Sequence, residues 1–215
     1  MAKIKAGILS KVSGKVAGVV GATWKGQNYL RELVKPSNPN TALQQAQRGL
    51  MSAVVKCARN YSGDVFKPYL DKFLKNMSGY NWFVKENIKK FNGTDNALTS
   101  ALAFAFGNGQ ACKALLNDNG GAYPLVSLAD TAFTVPAGTT ITCVAVAWND
   151  TKGQALVAAK TENGSGTADT VLDAPSEYGW SASDKVSVGA FYAYLDSNGV
   201  VQALSPSIQA FITIS

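Results

Sequence analysis

TTITCVAVAW, residues 139–148, is the stretch that decides the fold. Read with the period of a β-strand, it puts Ile141, Cys143, Ala145 and Ala147 on one face and Thr142, Val144, Val146 and Trp148 on the other. Both faces are mostly apolar. A strand with one solvated face alternates apolar with polar, so this pattern predicts a central strand covered on both sides. Moving outward, strands are expected at 154–161, 168–173, 185–195, 200–204 and 207–214. Turn residues separate them, including Asn149-Asp150, Asn163-Gly164 and Asn198-Gly199. Asn-Gly is a strong hairpin signal, because both residues accept positive φ. Short strands at this spacing predict an Ig-like or fibronectin-like β-sandwich. The antibody-type Cys…Trp…Cys pattern is missing, which favours a generic sandwich.

Upstream, residues 97–130 carry no clear period. Ala101–Phe106 fits either a strand or a buried helical turn. Before that lie three expected helices. From 41 to about 60, Leu43, Ala46, Leu50, Val54, Cys57, Ala58 and Tyr61 form one apolar face, opened by Asn38-Pro39-Asn40-Thr41. A second helix, between Asp64 and Met77, buries Phe66, Tyr69, Leu70, Phe73 and Leu74, with Pro68 placed in its first turn. A third, over 79–91, turns Trp82, Phe83 and Ile88 inward. Residues 7–35 are punctuated by Gly7, Gly14, Gly18, Gly21 and Gly26 between β-branched and aromatic residues, which favours strands. A hairpin is expected, 15–24 against 28–34, turning at Lys25-Gly26-Gln27. The class is therefore α+β: a glycine-rich N-terminal β-hairpin with three helices, then a β-sandwich.

Charge divides the chain at the same place. Residues 1–92 hold 16 Lys and Arg against 4 acidic residues, while residues 93–215 hold 4 Lys against 10 acidic residues. The change of sign at Asn92-Gly93-Thr94-Asp95 places a boundary at 92–96, giving a basic domain 1–95 and an acidic domain 96–215. A strongly basic segment faces something negative. The basic residues Lys11, Lys15, Lys25, Arg31 and Lys35 are interleaved with Trp24 and Tyr29. These seven are the candidate partner-docking residues. Three readings fit them: a solvated face, a surface for an acidic protein, or nucleic-acid binding with stacking on the aromatics. No zinc finger, helix-turn-helix or RNP-type motif accompanies them.

Catalytic signals are absent from the sequence. It has no His, the commonest general base and metal ligand. Cys57, Cys112 and Cys143 fit no zinc spacing and read as buried thiols. The Gly14-Lys15 pair fails as a phosphate-binding loop, because six residues separate Gly7 from Gly14 and Val16 stands where Ser or Thr must hold magnesium. No G-x-S-x-G occurs, and the carboxylates of the second half read as solvated turn residues. Trp148, Tyr178, Trp180, Tyr192 and Tyr194 suggest a carbohydrate-binding surface, but core packing explains them more simply. No apolar run approaches the roughly 20 residues of a membrane span. Lys11 and Lys15 interrupt any leader-like core, so a soluble, cytoplasmically made protein is expected. No enzyme activity, cofactor, metal or small-molecule substrate is expected.

The N-terminal block carries a resemblance. SGKVAGVVGATWKGQNYLRELVKPSNPNTALQQAQRGLM, residues 13–51, resembles a family of unknown function found in Bacteroidetes and in phage or prophage gene sets. The matching residues are Gly7, Ser13, Gly14, Lys15, Val16, Val19, Val20, Gly21, Trp24, Lys25, Gly26, Tyr29 and Arg31. Asn38-Pro39-Asn40-Thr41-Ala42 with Gln44, Gln45, Ala46 and Arg48, and Ser78–Phe83, are similar to segments of many phage-encoded proteins. Ala17 departs from the pattern, which has glycine there. The resemblance implies a bacteriophage virion structural protein: a head-associated decoration, fibre-anchoring or neck/tail component. It would bind other virion proteins and copies of itself, and be assembled in the bacterial host cytoplasm. The alternative expectation is a nucleic-acid-binding protein using the basic N-terminal domain.

Overall fold

The computed structural model describes residues 2–4, 14–92, 97–110, 114–116, 126–133, 137–162, 166–172 and 178–214. It forms two compact units, Met1–Thr41 and Ala42–Ser215. The class is α+β with antiparallel sheets, as expected. The division at 92–96 is not where the compact units part. The helices that follow Thr41 share a core with the later strands, so the sign change in charge falls inside one unit.

The first unit is a four-stranded antiparallel sheet. Its strands are β1 (Ala2–Ile4), β2 (Gly14–Val16), β3 (Val19–Trp24) and β4 (Gln27–Glu32), in the order β1-β4-β3-β2. Lys25 and Gly26 make the two-residue turn between β3 and β4, at φ 47° and 77°. Two positive φ values match the right-handed twist of the flanking strands. The expected strand 15–24 is in fact two strands, because Ala17-Gly18 makes a second tight turn between β2 and β3.

In the second unit, α1 (Ala42–Tyr61) runs straight into a π-helical segment (Ser62–Leu70) and the short α2 (Asp71–Phe73). Two of the three expected helices are thus one run. Pro68 lies inside the π segment, not in a first turn. In an α-helix its ring would collide with the carbonyl four residues back. The wider π turn, closed by the Asp71 N–H to Phe66 O bond, sidesteps that. After it comes α3 (Gly79–Asn87), whose first-turn Asn81 amide is capped by Ser78 Oγ at 3.3 Å.

The larger sheet contains β7 (Thr139–Asn149), β8 (Gln154–Glu162), β10 (Lys185–Asp196), β11 (Val201–Leu204) and β12 (Ile208–Thr213). Its order is β11-β10-β7-β8, with β12 also on β10. β7 is central and buried from Ile141 to Asn149, as its sequence predicts. A smaller sheet, β5 (Ala114–Leu116), β6 (Val126–Phe133) and β9 (Gly166–Leu172), approaches β7 and β8 through β9.

Two apolar cores follow from the two faces of β7. Ile141, Cys143, Ala145 and Ala147 pack with Val186, Val188, Tyr192, Leu172 and Trp180. Val144, Val146 and Trp148 pack with Phe191 and with Val54, Cys57, Tyr61, Phe66 and Phe83 of the helices. The helices therefore cover one face of the larger sheet. Tyr61 is the hub: its ring meets Phe104 edge-on at 5.3 Å, and its hydroxyl donates to Ala147 O at 2.6 Å. Burial holds both the Tyr61 phenol and the Cys57 thiol well above their ordinary pKa, so both stay neutral. Cys57 and Cys143 are buried thiols, as expected; Cys112 lies outside the described residues. Leu43 departs from its expected buried face and is 84 % exposed.

Residues 97–110 are neither strand nor helix. They form an extended strap that puts Leu98, Leu102, Phe104 and Ala105 into the core between helices and sheet. Its backbone is met partly by other backbone, as in the Thr99 N–H to Lys90 O and Gly109 N–H to Leu204 O bonds, and largely by side chains. Leu98 N–H donates to Asp150, Leu102 N–H to Ser187, Phe104 N–H to Ser207 and Gln110 N–H to Tyr194. Asn87, fully buried, accepts from Ala103 N–H at 2.8 Å and donates to Ala103 O at 2.9 Å, as a neighbouring strand would.

Asn87→Ala leaves both part-buried Ala103 groups without these partners and is expected to destabilise the unit by about 1–3 kcal/mol. Gly189→Ala puts a β-carbon 2.7 Å from the Phe104 ring and is expected to cost roughly 1–3 kcal/mol. Urea denaturation checks both, with the exposed Asn81→Ala expected within about 0.5 kcal/mol of wild type.

The β10–β11 turn gives a pH expectation. Asp196 accepts from Val200 N–H and Asn198 N–H, each at 2.9 Å, and these bonds hold its carboxyl below the ordinary aspartate value. A depressed folded pKa means the stabilisation is present above the ordinary value and lost as pH falls through the folded one. The Asn198 and Val200 amide proton resonances should move together in an acid titration, with a midpoint below that of an unperturbed aspartate.

Candidate functional site

The candidate site is built by the register of the N-terminal sheet. Lys15 pairs with Val20, and Val20 with Arg31. Two residues along, Ala22 pairs with Tyr29, and then Trp24 with Gln27. Directly opposed residues in antiparallel strands share a face, and alternate residues share it too. Lys15, Trp24, Tyr29 and Arg31 therefore lie on one face of β2, β3 and β4. The other face carries Gly14, Val19, Gly21, Thr23, Asn28, Leu30 and Glu32.

On the candidate face, Lys15 and Arg31 are exposed and Val20 between them is buried. Trp24 is 66 % exposed, an unusual position for so large an apolar ring. Lys25, at the turn, carries its ammonium 4.9 Å from the centroid of that ring, a cation–π contact. Tyr29 is half-buried. Lys35 is exposed but lies past the end of β4, outside the sheet, and Lys11 lies outside the described residues. Of the seven candidates, the sheet gathers four on one face and adds a fifth at its turn. One element went unseen in the sequence. β1, three residues long, pairs with β4 and sets Lys3 in register with Tyr29. Nothing in AKI marks a strand by itself.

The charge of this unit is lopsided. Its 41 residues hold seven Lys and Arg against the single acid Glu32, whereas residues 42–215 hold 13 basic and 13 acidic residues. The whole formal charge of +6 therefore resides in the first unit.

The sequence matches, over residues 11–206, a family of unknown function, DUF6266. The chain belongs to that family. The match takes in all seven candidate docking residues and both units, and so the family spans the sheet as well as the helix-covered core. No curated protein and no solved structure matches it.

In the second unit this DUF6266 chain has a cleft of about 570 Å³, lined by Ser52 and Lys56 of α1, by Trp148, Asp150 and Thr151, and by Lys185. Asp150 has both oxygens engaged, one by Leu98 N–H at 2.7 Å and the other by the Trp148 indole at 3.3 Å. Its carboxylate thus serves the strap. Among the described residues no group of three or more His, Cys, Asp or Glu is placed to hold a metal ion, and no helix is long and apolar enough to cross a membrane. Trp148, Trp180, Tyr192 and Tyr194 are buried in the two cores, so they form no exposed aromatic platform.

The turn that aligns β2 with β3 is strained at Ala17, which sits at φ 51°. Ala17→Gly relieves the left-handed penalty of about 1–2 kcal/mol, less the backbone freedom glycine adds to the unfolded chain. A net gain of about 0.5–1 kcal/mol is expected, read as slower amide exchange of Leu33, whose N–H donates to Gly18 O at 2.8 Å.

Proposed function

We propose that this chain is a structural protein of a bacteriophage particle, a head-associated decoration, fibre-anchoring or neck/tail component. It docks through the basic and aromatic face of its N-terminal sheet. Its β-rich unit is an Ig-like or fibronectin-like module buttressed by helices on one sheet. The carrying observation is that the chain's entire net charge belongs to a 41-residue unit whose sheet sets Lys15 and Arg31 in one cross-strand row on the same face as an exposed Trp24. A concentrated cationic face on a neutral body steers the molecule onto a negative surface in one orientation. The partners in this reading are other virion proteins and copies of the chain itself, with nucleic acid as the further partner open to the basic face, met in the bacterial host cytoplasm during assembly. The resemblance of residues 13–51 to phage-encoded proteins supports the setting.

A second reading, nucleic-acid binding, is favoured by one observation: Trp24 and Tyr29 share the face of Lys15 and Arg31.

Quantitative mass spectrometry of purified particles tests the leading reading. A fixed copy number relative to the major shell protein is expected. Replacement of Lys15 and Arg31 by Glu is expected to lower incorporation about tenfold, the equivalent of about 1.4 kcal/mol. A chain abundant in infected cells and never found in particles overturns the proposal.

A further inference from the structure

We propose that the partner of the N-terminal sheet face is a single-stranded nucleic acid, held by its phosphates on Lys15, Lys25 and Arg31 and by base stacking on Trp24 and Tyr29. This rests on the reading of that face as the docking surface, and names what it docks to.

Three features of the face select this ligand. The first is that charge and aromatic rings occur together. An acidic protein surface would pair with the three cations, yet it would give the Trp24 ring no flat partner, although that ring is 66 % exposed. The second is spacing. Trp24 stands diagonal to Tyr29 across β3 and β4, so their β-carbons are about 7 Å apart. Between the Lys15–Arg31 row and the Trp24–Gln27 row lies only the Ala22–Tyr29 row. Successive rows are about 6.7 Å apart along a strand. Phosphates and bases of one short segment can therefore be met at the same time. The third is access to the base faces. In a duplex each base is covered above and below by its neighbours, whereas an unpaired strand offers its rings to a stacking side chain. Gln27 is the one amide on the face, and it opposes Trp24. With so few hydrogen-bonding side chains, binding is expected to tolerate sequence.

The ligand contact is small, three cations and two rings, so one copy binds weakly. Copies arrayed along a strand would bind through avidity. Neutralising three phosphates of a single strand predicts a log–log salt slope near −2, at about −0.7 per phosphate.

The experiment uses the full chain and its tryptophan emission. Trp148 and Trp180 are buried and Trp82 is half-buried, so Trp24 is the most accessible of the four. A short oligothymidylate is titrated at low salt, with poly-L-glutamate as an acidic polymer lacking bases. Expected are quenching on oligothymidylate addition, a salt slope near −2, and weaker competition by poly-L-glutamate. Trp24→Leu, read by anisotropy of a labelled oligonucleotide, should weaken binding about tenfold, within the range of one lost base stack. Tyr29→Leu should weaken it by less. Circular dichroism of each variant should match wild type. Oligothymidylate affinity indifferent to Trp24→Leu, or poly-L-glutamate bound as tightly as the oligonucleotide, overturns the inference and leaves docking on an acidic protein standing. Binding of neither polymer overturns both this inference and the docking role of the face.

Discussion

The second unit depends on one constraint: a buried stretch of extended backbone must find partners for its polar groups without belonging to a sheet. Leu98, Leu102, Phe104 and Ala105 of residues 97–110 are buried between the helices and the larger sheet. The amides of Leu98, Ala103, Leu102, Phe104 and Gln110 are met in turn by the side chains of Asp150, Asn87, Ser187, Ser207 and Tyr194, each supplied by a different part of the chain. Those side chains are buried or half-buried polar groups in a largely apolar core, and each would be costly there without the strap. Strap and side chains thus justify one another. The glycines follow from the same crowding. A β-carbon at Gly107 would collide with the Leu204 carbonyl, and one at Gly189 with the Phe104 ring.

What could be read from sequence follows from how local the determining interactions are. β7, β10 and the Asn198-Gly199 turn announce themselves, because a strand buried on both faces is apolar throughout and a tight turn needs its own residues. The strap does not announce itself. Its apolar residues answer to no period, and the groups that satisfy it lie as many as 103 residues away in sequence. Ser62-Gly63-Asp64 reads as a helix break, yet the run continues, because packing of Val65, Phe66 and Leu70 outweighs local preference. Leu43 fits the helical face by spacing, but α1 packs on the core only from Leu50 on, leaving its first turns outside. The change of sign at 92–96 falls inside the second unit, whereas the net excess of charge parts the two units at Thr41.

For the candidate site, composition was enough to name the residues and pairing was needed to arrange them. Lys15, Lys25, Arg31, Trp24 and Tyr29 stand out as cations among aromatics. That four of them share a face follows from the Lys25-Gly26 turn, which fixes the β3–β4 register, and from the Ala17-Gly18 turn, which folds β2 back on β3. A slip of one residue in the β2–β3 hairpin would send Lys15 to the face opposite both rings, and one in the β3–β4 hairpin would part Arg31 and Tyr29 from Trp24. Ala17 holds a conformation that glycine adopts more easily, so this register is maintained against local strain.

The wiring of the strap also orders events during synthesis. Ser187 and Ser207 close bonds to Leu102 and Phe104 across 85 and 103 residues, and Tyr61 reaches Ala147 across 86. The helices therefore leave the ribosome long before their counter-surface exists, and their apolar faces stay uncovered until β7, β10 and the Ser207 segment have been made. The N-terminal sheet is different: β2, β3 and β4 pair within residues 14–32 and need nothing that comes later. The basic face is thus assembled first, on a nascent chain whose remaining part is still waiting for its own core.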